Sequence, residues 1–182
     1  EAGFEIQLML TAGDRRTDLD FVLRTALERA GWVFMTGGLG PTEDDLTAEV
    51  VAQLAQVPLQ FDLPSWQHVE RRFAEFGIPL TENNRKQAMF PAGAQILANP
   101  NGTAPGFVAS LSLAGGERRI VALPGPPREM QPMVEQLIAG ALPARASDER
   151  IYRVALYLTG RRGLTTVPTQ ALVLMNDEFV ED

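Results

Sequence analysis

An α/β fold of three layers, α/β/α, with a mostly parallel sheet and one β-hairpin is what this sequence predicts. Three observations carry the prediction. Phe4, Ile6, Leu8 and Leu10 alternate with period two, as a half-buried strand does, and a helix-periodic stretch follows. Next, the apolar run Trp32-Val33-Phe34-Met35 leads through a glycine turn into a second helix-periodic stretch, and strand–helix alternation with short loops builds a parallel sheet covered on both faces. Finally, residues 107–113 and 119–123 read as strands joined by Ala114-Gly115-Gly116-Glu117, a hairpin that adds an antiparallel part.

Taken in order, Glu1-Ala2-Gly3 reads as the end of a helix, and Thr11-Ala12-Gly13-Asp14 as the turn after the first strand. Thr17 or Asp18 is the expected cap of a helix with Leu19, Leu23, Ala26, Leu27 and Ala30 on one face, stopped by Gly31. The run from Trp32 to Thr36 is continuous enough for a strand buried on both faces. Leu46, Val50, Leu54 and Val57 mark a second helix, which Pro58 ends. A third begins at Ser65, with Trp66, Val69, Phe73 and Phe76 as a core stripe and Gly77 as its stop; His68 lies off that stripe and reads as solvated or locally paired.

Residues 81–88 form a polar, capped surface helix, Pro91-Ala92-Gly93 a turn, residues 95–97 a short strand, and Asn99-Pro100-Asn101-Gly102 a strong turn signal. Leu123-Pro124-Gly125-Pro126-Pro127 closes a strand and opens a helix from about Arg128, with Met130, Val134, Leu137 and Ile138 on one face. The composition then shifts to Ala, Pro and Ser, a linker over residues 140–149; residues 151–158 read as a further strand, and Pro168-Thr169-Gln170-Ala171-Leu172 as a turn and short amphipathic helix. The expected division is one domain over residues 1–145 and a linker and tail over 146–182.

Composition narrows the chemistry. Of 182 residues 45% are hydrophobic, enough for one domain with a core. The net charge of -7, from 16 Lys plus Arg against 23 Asp plus Glu, repels a polyphosphate backbone, so no nucleic-acid partner is expected and any anion must be held by local devices. No cysteine means no disulfide, thiolate nucleophile or zinc-thiolate site, and a single histidine excludes a two-imidazole centre. A metal here would be an oxygen-ligated ion such as Mg²⁺ or Mn²⁺. With no long apolar run and no basic-then-apolar leader, the expectation is a cytoplasmic protein with no membrane partner.

The stretch with the most chemistry is Thr36-Gly37-Gly38-Leu39-Gly40-Pro41-Thr42-Glu43-Asp44-Asp45-Leu46-Thr47. Three glycines within four residues let backbone approach a ligand, and carboxylates follow where a helix should begin. A helix start can hold phosphate oxygens while Asp holds a hard cation that shields them. Read blandly, it is an ordinary strand-to-helix turn with Asp44 or Asp45 as cap. Arg85 or Lys86 could pair with a phosphate or merely confer solubility. Asn101-Gly102 suits a hairpin turn or a second ligand loop, and the turn at Gly125 a rigid corner or a second anion-binding helix start. Gly13-Asp14 and Gly37-Gly38 both fall at carboxyl ends of strands, where ligands bind in such sheets.

That string, followed in order by Thr81-Glu82-Asn83-Asn84-Arg85-Lys86-Gln87-Ala88, Asn101-Gly102-Thr103-Ala104-Pro105-Gly106-Phe107 and Leu123-Pro124-Gly125-Pro126-Pro127-Arg128-Glu129-Met130, resembles the N-terminal domain of the competence/damage-inducible CinA family. The wider relatives are molybdopterin-binding domains, and the likeness covers roughly residues 1–140. It implies an α/β/α domain that hydrolyses the pyrophosphate of ADP-ribose or a related nucleotide with a divalent metal (Mg²⁺, Mn²⁺ or Co²⁺), in some members helped by K⁺. By matching residues, Gly37, Gly38, Gly40 and Thr42 contact the ligand, Asp44 and Asp45 hold metal or orient water, and Lys86 acts with them. Gly13, Asp14, Thr36, Asn84, Asn101, Gly102 and Gly125 complete the expected crevice.

Two departures accompany the resemblance. The family opens with a strand and a Gly-Thr-Glu-Leu-Leu-type motif that has no counterpart here, so part of the pocket is expected to be missing. Its larger members also carry an amidase-like C-terminal domain acting on nicotinamide mononucleotide, for which there is no room, so deamidase activity is not expected. The competing functions are a binding module for a pterin phosphate or nucleotide and an inactive truncated homologue. Relatives of this kind associate, and a homo-oligomer is expected.

Overall fold

In the computed structural model, residues 5–140 and 170–176 are described. Strand β1 (Glu5–Ala12) leads into helix α1 (Arg16–Leu27), whose buried Leu19, Val22, Leu23, Ala26 and Leu27 recur at helical spacing. The helix starts earlier than the cap signals suggested: Arg15 is the cap residue, without a side-chain bond, and Thr17 and Asp18 fall inside the first turn. Asp18 there still complements the positive end of the helix dipole. All five residues of β2 (Trp32–Thr36) are buried. Alternate side chains go to opposite faces: Val33 and Met35 join α1 and helix α2 (Thr47–Ala55) in one core, whereas Trp32 and Phe34 join helix α4 (Pro127–Gly140) in another. These are the three expected layers.

Between α2 and α4 the chain makes β3 (Leu59–Phe61), α3 (Leu63–Phe76), a 3-10 helix (Glu82–Ala88), β4 (Met89–Pro91), β5 (Gln95–Leu97), β6 (Gly106–Leu113) and β7 (Gly116–Leu123). Strands β3 and β4 pair antiparallel as a small separate sheet, so the turn expected at Pro91 follows it instead. Helix α3 begins before Ser65 because Asp62 caps it, accepting from the Ser65 N–H at 2.8 Å. Its aromatic stripe is less buried than expected: Ser65 and Val69 are its fully buried residues, and Phe76 is 46% exposed. On α4, Met130, Met133 and Leu137 are buried, while Ile138 is exposed rather than on the core face. The β6–β7 pairing runs to Leu113 and Gly116, leaving Ala114-Gly115 as a turn tighter than four residues. Gly116, at φ 104°, supplies a backbone geometry that L side chains rarely adopt.

The main sheet has the order β1-β8-β2-β7-β6-β5, where β8 is Gln170–Asn176. Strands β2 and β7 are parallel neighbours, and β1, β2, β7 and β5 all point one way; β8 and β6 run against them. The expected short amphipathic helix after Pro168 is thus a strand from Gln170 onward. Its apolar stretch is too short to carry a helical period, and between β1 and β2 it gains a ladder on both sides. The linker at 140–149 beyond Gly140 and the strand at 151–158 lie outside the described residues.

Candidate functional site

Because β2 and β7 run side by side in parallel, their carboxyl ends deliver two glycine turns to one place. Gly37 N–H donates to the Leu123 carbonyl at 2.9 Å, and a Cβ on Gly125 would lie 3.8 Å from the Gly37 Cα. Gly37 and Gly38 have φ of 96° and 68°, which explains two of the three glycines. The turn is clipped to the start of α2 by Thr47, whose hydroxyl donates to the Gly37 carbonyl at 2.9 Å and whose N–H donates to that of Gly38 at 3.2 Å. Thr36, just before it, is buried.

The two aspartates divide. Asp45 does not cap α2, whose cap residue is Leu46; its Oδ2 accepts from the Thr42 N–H at 2.8 Å and the Thr42 hydroxyl at 2.6 Å, holding the turn that precedes the helix. A Cβ on Gly40 would lie 2.5 Å from that oxygen, so the third glycine is required by contact rather than by backbone angle. Asp44 is exposed beside it.

From the other side, the 3-10 helix presents Lys86, which donates to the Thr42 carbonyl at 3.0 Å and pairs with Glu49 of α2 at 3.2 Å. Glu49 also receives Arg16 from the start of α1. Burial pushes the Glu49 carboxyl up, but the hydrogen bonds and charges of Arg16 and Lys86 outweigh it and hold the group below the usual carboxylate value. Of the two cations weighed for a phosphate, Arg85 is elsewhere: its guanidinium lies over the Phe61 ring at 4.0 Å. Asn84 is buried, and its Oδ1 accepts from Thr81 N–H and hydroxyl at 2.8 Å each, a capping box that anchors the segment.

A third loop, residues 99–106, is fastened to everything around it. Asn99, 0% exposed, accepts with Oδ1 from the N–H groups of Asn101 and Gly102 and donates with Nδ2 to the Ala104 carbonyl and to Glu129. Asn101 Nδ2 donates to the Arg128 carbonyl at 2.7 Å, and Gln87 Nε2 to the Thr103 hydroxyl at 3.1 Å. His68 of α3 meets the Gly102 carbonyl at 3.1 Å, a local pairing. A Cβ on Gly102 would overlap the Glu129 carboxylate. The four sequence stretches therefore close into a ring: 37 with 125, 101 with 128, 103 with 87, and 86 with 42. Asn99 and Glu129 were not singled out by sequence; the only signals were an Asn opening a turn and an acid in the first turn of α4.

Gly13 and Asp14 follow β1 at the same end of the sheet, but β8 stands between β1 and β2, so they are one strand further from the glycine turn than a β1–β2 pairing would bring them. Among the described residues no group of three or more His, Asp or Glu converges as a ready-made metal cage. The exposed Asp44 and the Oδ1 of Asp45, which has no hydrogen bond among the described residues, are the oxygens that a hard ion would have to use, its remaining ligands coming from phosphate and water as Mg²⁺ commonly takes them. A cavity of about 340 Å³ lies by the β6–β7 hairpin, lined by Leu27, Leu54, Leu111, Leu113, Arg24 and Arg118, away from the glycine turns.

Residues 1–144 match the family model described as "Probable molybdopterin binding domain". A CinA-like protein of Anaeromyxobacter sp. (strain Fw109-5) is 39% identical over 148 residues, 81% of this chain and 35% of that protein. The chain belongs to the CinA group of this family. A Desulforamulus reducens relative with a competence-damage inducible designation is 42% identical over 142 residues, 78% of this chain and 34% of its own length. The crystal structure of CinA from Thermoplasma acidophilum, a protein of unknown function, superposes with a TM-score of 0.58 at 31% identity, covering 68% of this chain and 70% of that one. This CinA-type domain spans about a third of the curated relatives' length.

Proposed function

We propose that this CinA-type domain binds a nucleotide diphosphate such as ADP-ribose within the ring of loops and hydrolyses its pyrophosphate with a divalent metal ion. The observation that supports it is the closure of that ring, which brings Gly37, Gly38, Lys86 and the start of α4 together around one end of the sheet. Glycine-lined backbone and a lysine attract phosphate locally in a chain whose net charge repels it. Asp44 and Asp45 would hold the ion, Mg²⁺, Mn²⁺ or Co²⁺, which supplies charge neutralisation and polarisation of phosphorus; K⁺ is an auxiliary in this reading. Water bonds to one phosphorus, the bond from that phosphorus to the bridging oxygen breaks, and AMP and ribose 5-phosphate leave with one water proton passed to solvent. The partner is a small nucleotide rather than nucleic acid or membrane, and the protein works in the cytoplasm as a homo-oligomer.

The test is AMP release from ADP-ribose with Mg²⁺ or Co²⁺ by the chain and by Asp44→Ala. Turnover abolished in the variant supports the reading; no turnover in the parent chain rejects it. One observation favours a second reading, a module that binds a pterin phosphate or nucleotide without chemistry: Asp45 is already engaged by Thr42, leaving few free carboxylate oxygens. Tight binding of a pterin phosphate without turnover would support that alternative.

A further inference from the structure

Nothing in the proposed hydrolysis uses the cavity beside the β6–β7 hairpin. It lies at the other end of β7 from the glycine turns, since that strand starts at Gly116 and ends at Leu123. Its volume of about 340 Å³ falls in the lower part of the range of small-molecule sites, roughly 300–1,000 Å³. Leu27 and Leu111, both 3% exposed, and the partly buried Leu54 give it an apolar lining.

Two charges of opposite sign belong to the same lining, Arg118 and Glu28. Arg118 Nε donates to the Leu27 carbonyl at 3.0 Å and its Nη1 to the Glu117 carbonyl at 3.2 Å, which pins the guanidinium next to the residue that precedes Glu28. Yet among the described residues neither Arg118 nor Glu28 makes an ion pair. Arg118 Nη2 carries no hydrogen bond there either, and a Cβ on Gly115 would lie 2.8 Å from it. Unlike Gly116, Gly115 has no positive φ, so backbone angle does not call for glycine at 115; its bare Cα leaves the guanidinium uncovered. The other cation of the lining, Arg24, is spent on Asp20 at 2.8 Å.

We propose that this cavity binds a free α-amino acid with an apolar side chain, its carboxylate on Arg118, its ammonium on Glu28 and its side chain on the leucines. The pairing of charges selects that class. A simple carboxylate would find Arg118 but would also face Glu28 and the carbonyl ends of α1 and α2, which carry partial negative charge. A simple amine would suit those groups and leave Arg118 unanswered. A zwitterion satisfies both, and having no net charge it is not repelled by a chain of net charge -7. Because Arg118 is already held by two carbonyls, little side-chain freedom is lost when a carboxylate joins it. The site does not depend on the hydrolase reading.

The test is calorimetric titration of the whole chain with L-leucine, with 4-methylpentanoate, which lacks the ammonium, and with isoamylamine, which lacks the carboxylate. L-leucine should bind saturably and each truncated analogue about tenfold more weakly. Arg118→Gln should then bind L-leucine no better than isoamylamine, and Glu28→Gln no better than 4-methylpentanoate. Glu28 is exposed, so its variant keeps the fold even where Arg118→Gln loosens the Leu27 tie. Leu113→Ser, at a position 41% exposed, should weaken all three ligands together. The proposal is overturned if L-leucine does not bind at millimolar concentration, or if either analogue binds as well as L-leucine. It is equally overturned if Glu28→Gln leaves the preference for L-leucine over 4-methylpentanoate intact.

Discussion

The Lys86 ammonium donates to the Thr42 carbonyl at 3.0 Å, joining two turns 44 positions apart in the chain. This bond fastens the loop after β2 to the 3-10 helix and leaves the same ammonium partly exposed at the site. Lys86→Met removes both the tie and the charge. Calorimetric titration with ADP-ribose should show binding weakened at least tenfold, with stability lower by about 0.5–1.5 kcal/mol for the lost bond. Lys86→Arg should recover stability better than binding, since a guanidinium is a planar fork rather than a point charge.

Glu49 gives the site a dependence on acid. Its folded carboxyl titrates below the usual value, so its contribution is fully present above the unfolded value near 4.5 and is lost as pH falls through the folded one. Urea unfolding of the parent chain and Glu49→Gln should differ most at neutral pH. The gap should close as pH drops below that carboxylate value; a gap independent of pH would contradict the assignment.

The adjacent aspartates should separate in stability. Asp45→Ala removes both acceptor contacts to Thr42 and should lower the unfolding free energy by about 1–2 kcal/mol, besides abolishing any turnover. Asp44→Ala should leave the melting temperature unchanged, because Asp44 is exposed, and affect only turnover and metal affinity.

Asn99→Ala should be the most damaging single change in the loop of residues 99–106. It leaves the Ala104 carbonyl, two backbone N–H groups and the Glu129 carboxylate without their buried partner, for an expected cost of roughly 2–4 kcal/mol. Gly102→Ala should act through the same place, because a methyl there displaces Glu129. Chemical denaturation of each variant checks both.

Much of the site was legible because local chemistry wrote it. Gly37, Gly38 and Gly40 cluster where backbone angle and a carboxylate leave no room for a side chain, and the order of the four motifs pointed to one family. Less visible was how the duties divide: Asp45 spends its Oδ2 on Thr42, Asn84 its Oδ1 on Thr81, and Arg85 stacks on Phe61. Such pairings depend on which neighbours folding supplies, and no spacing encodes them. Asn99 and Glu129, 30 positions apart, were missed for the same reason.

By itself, the sequence determined the α/β layering, the glycine turns and the absence of thiol or multi-histidine chemistry, because hydrophobic period and residue type are local properties. Only the tertiary structure decided that β8 lies between β1 and β2, that the loops close into a ring, and that a buried amide oxygen of Gln87 has no partner among the described residues. Strand neighbours, long-range hydrogen bonds and the burial of a single atom are set by which surfaces meet when the chain collapses, and those surfaces come from residues far apart along it.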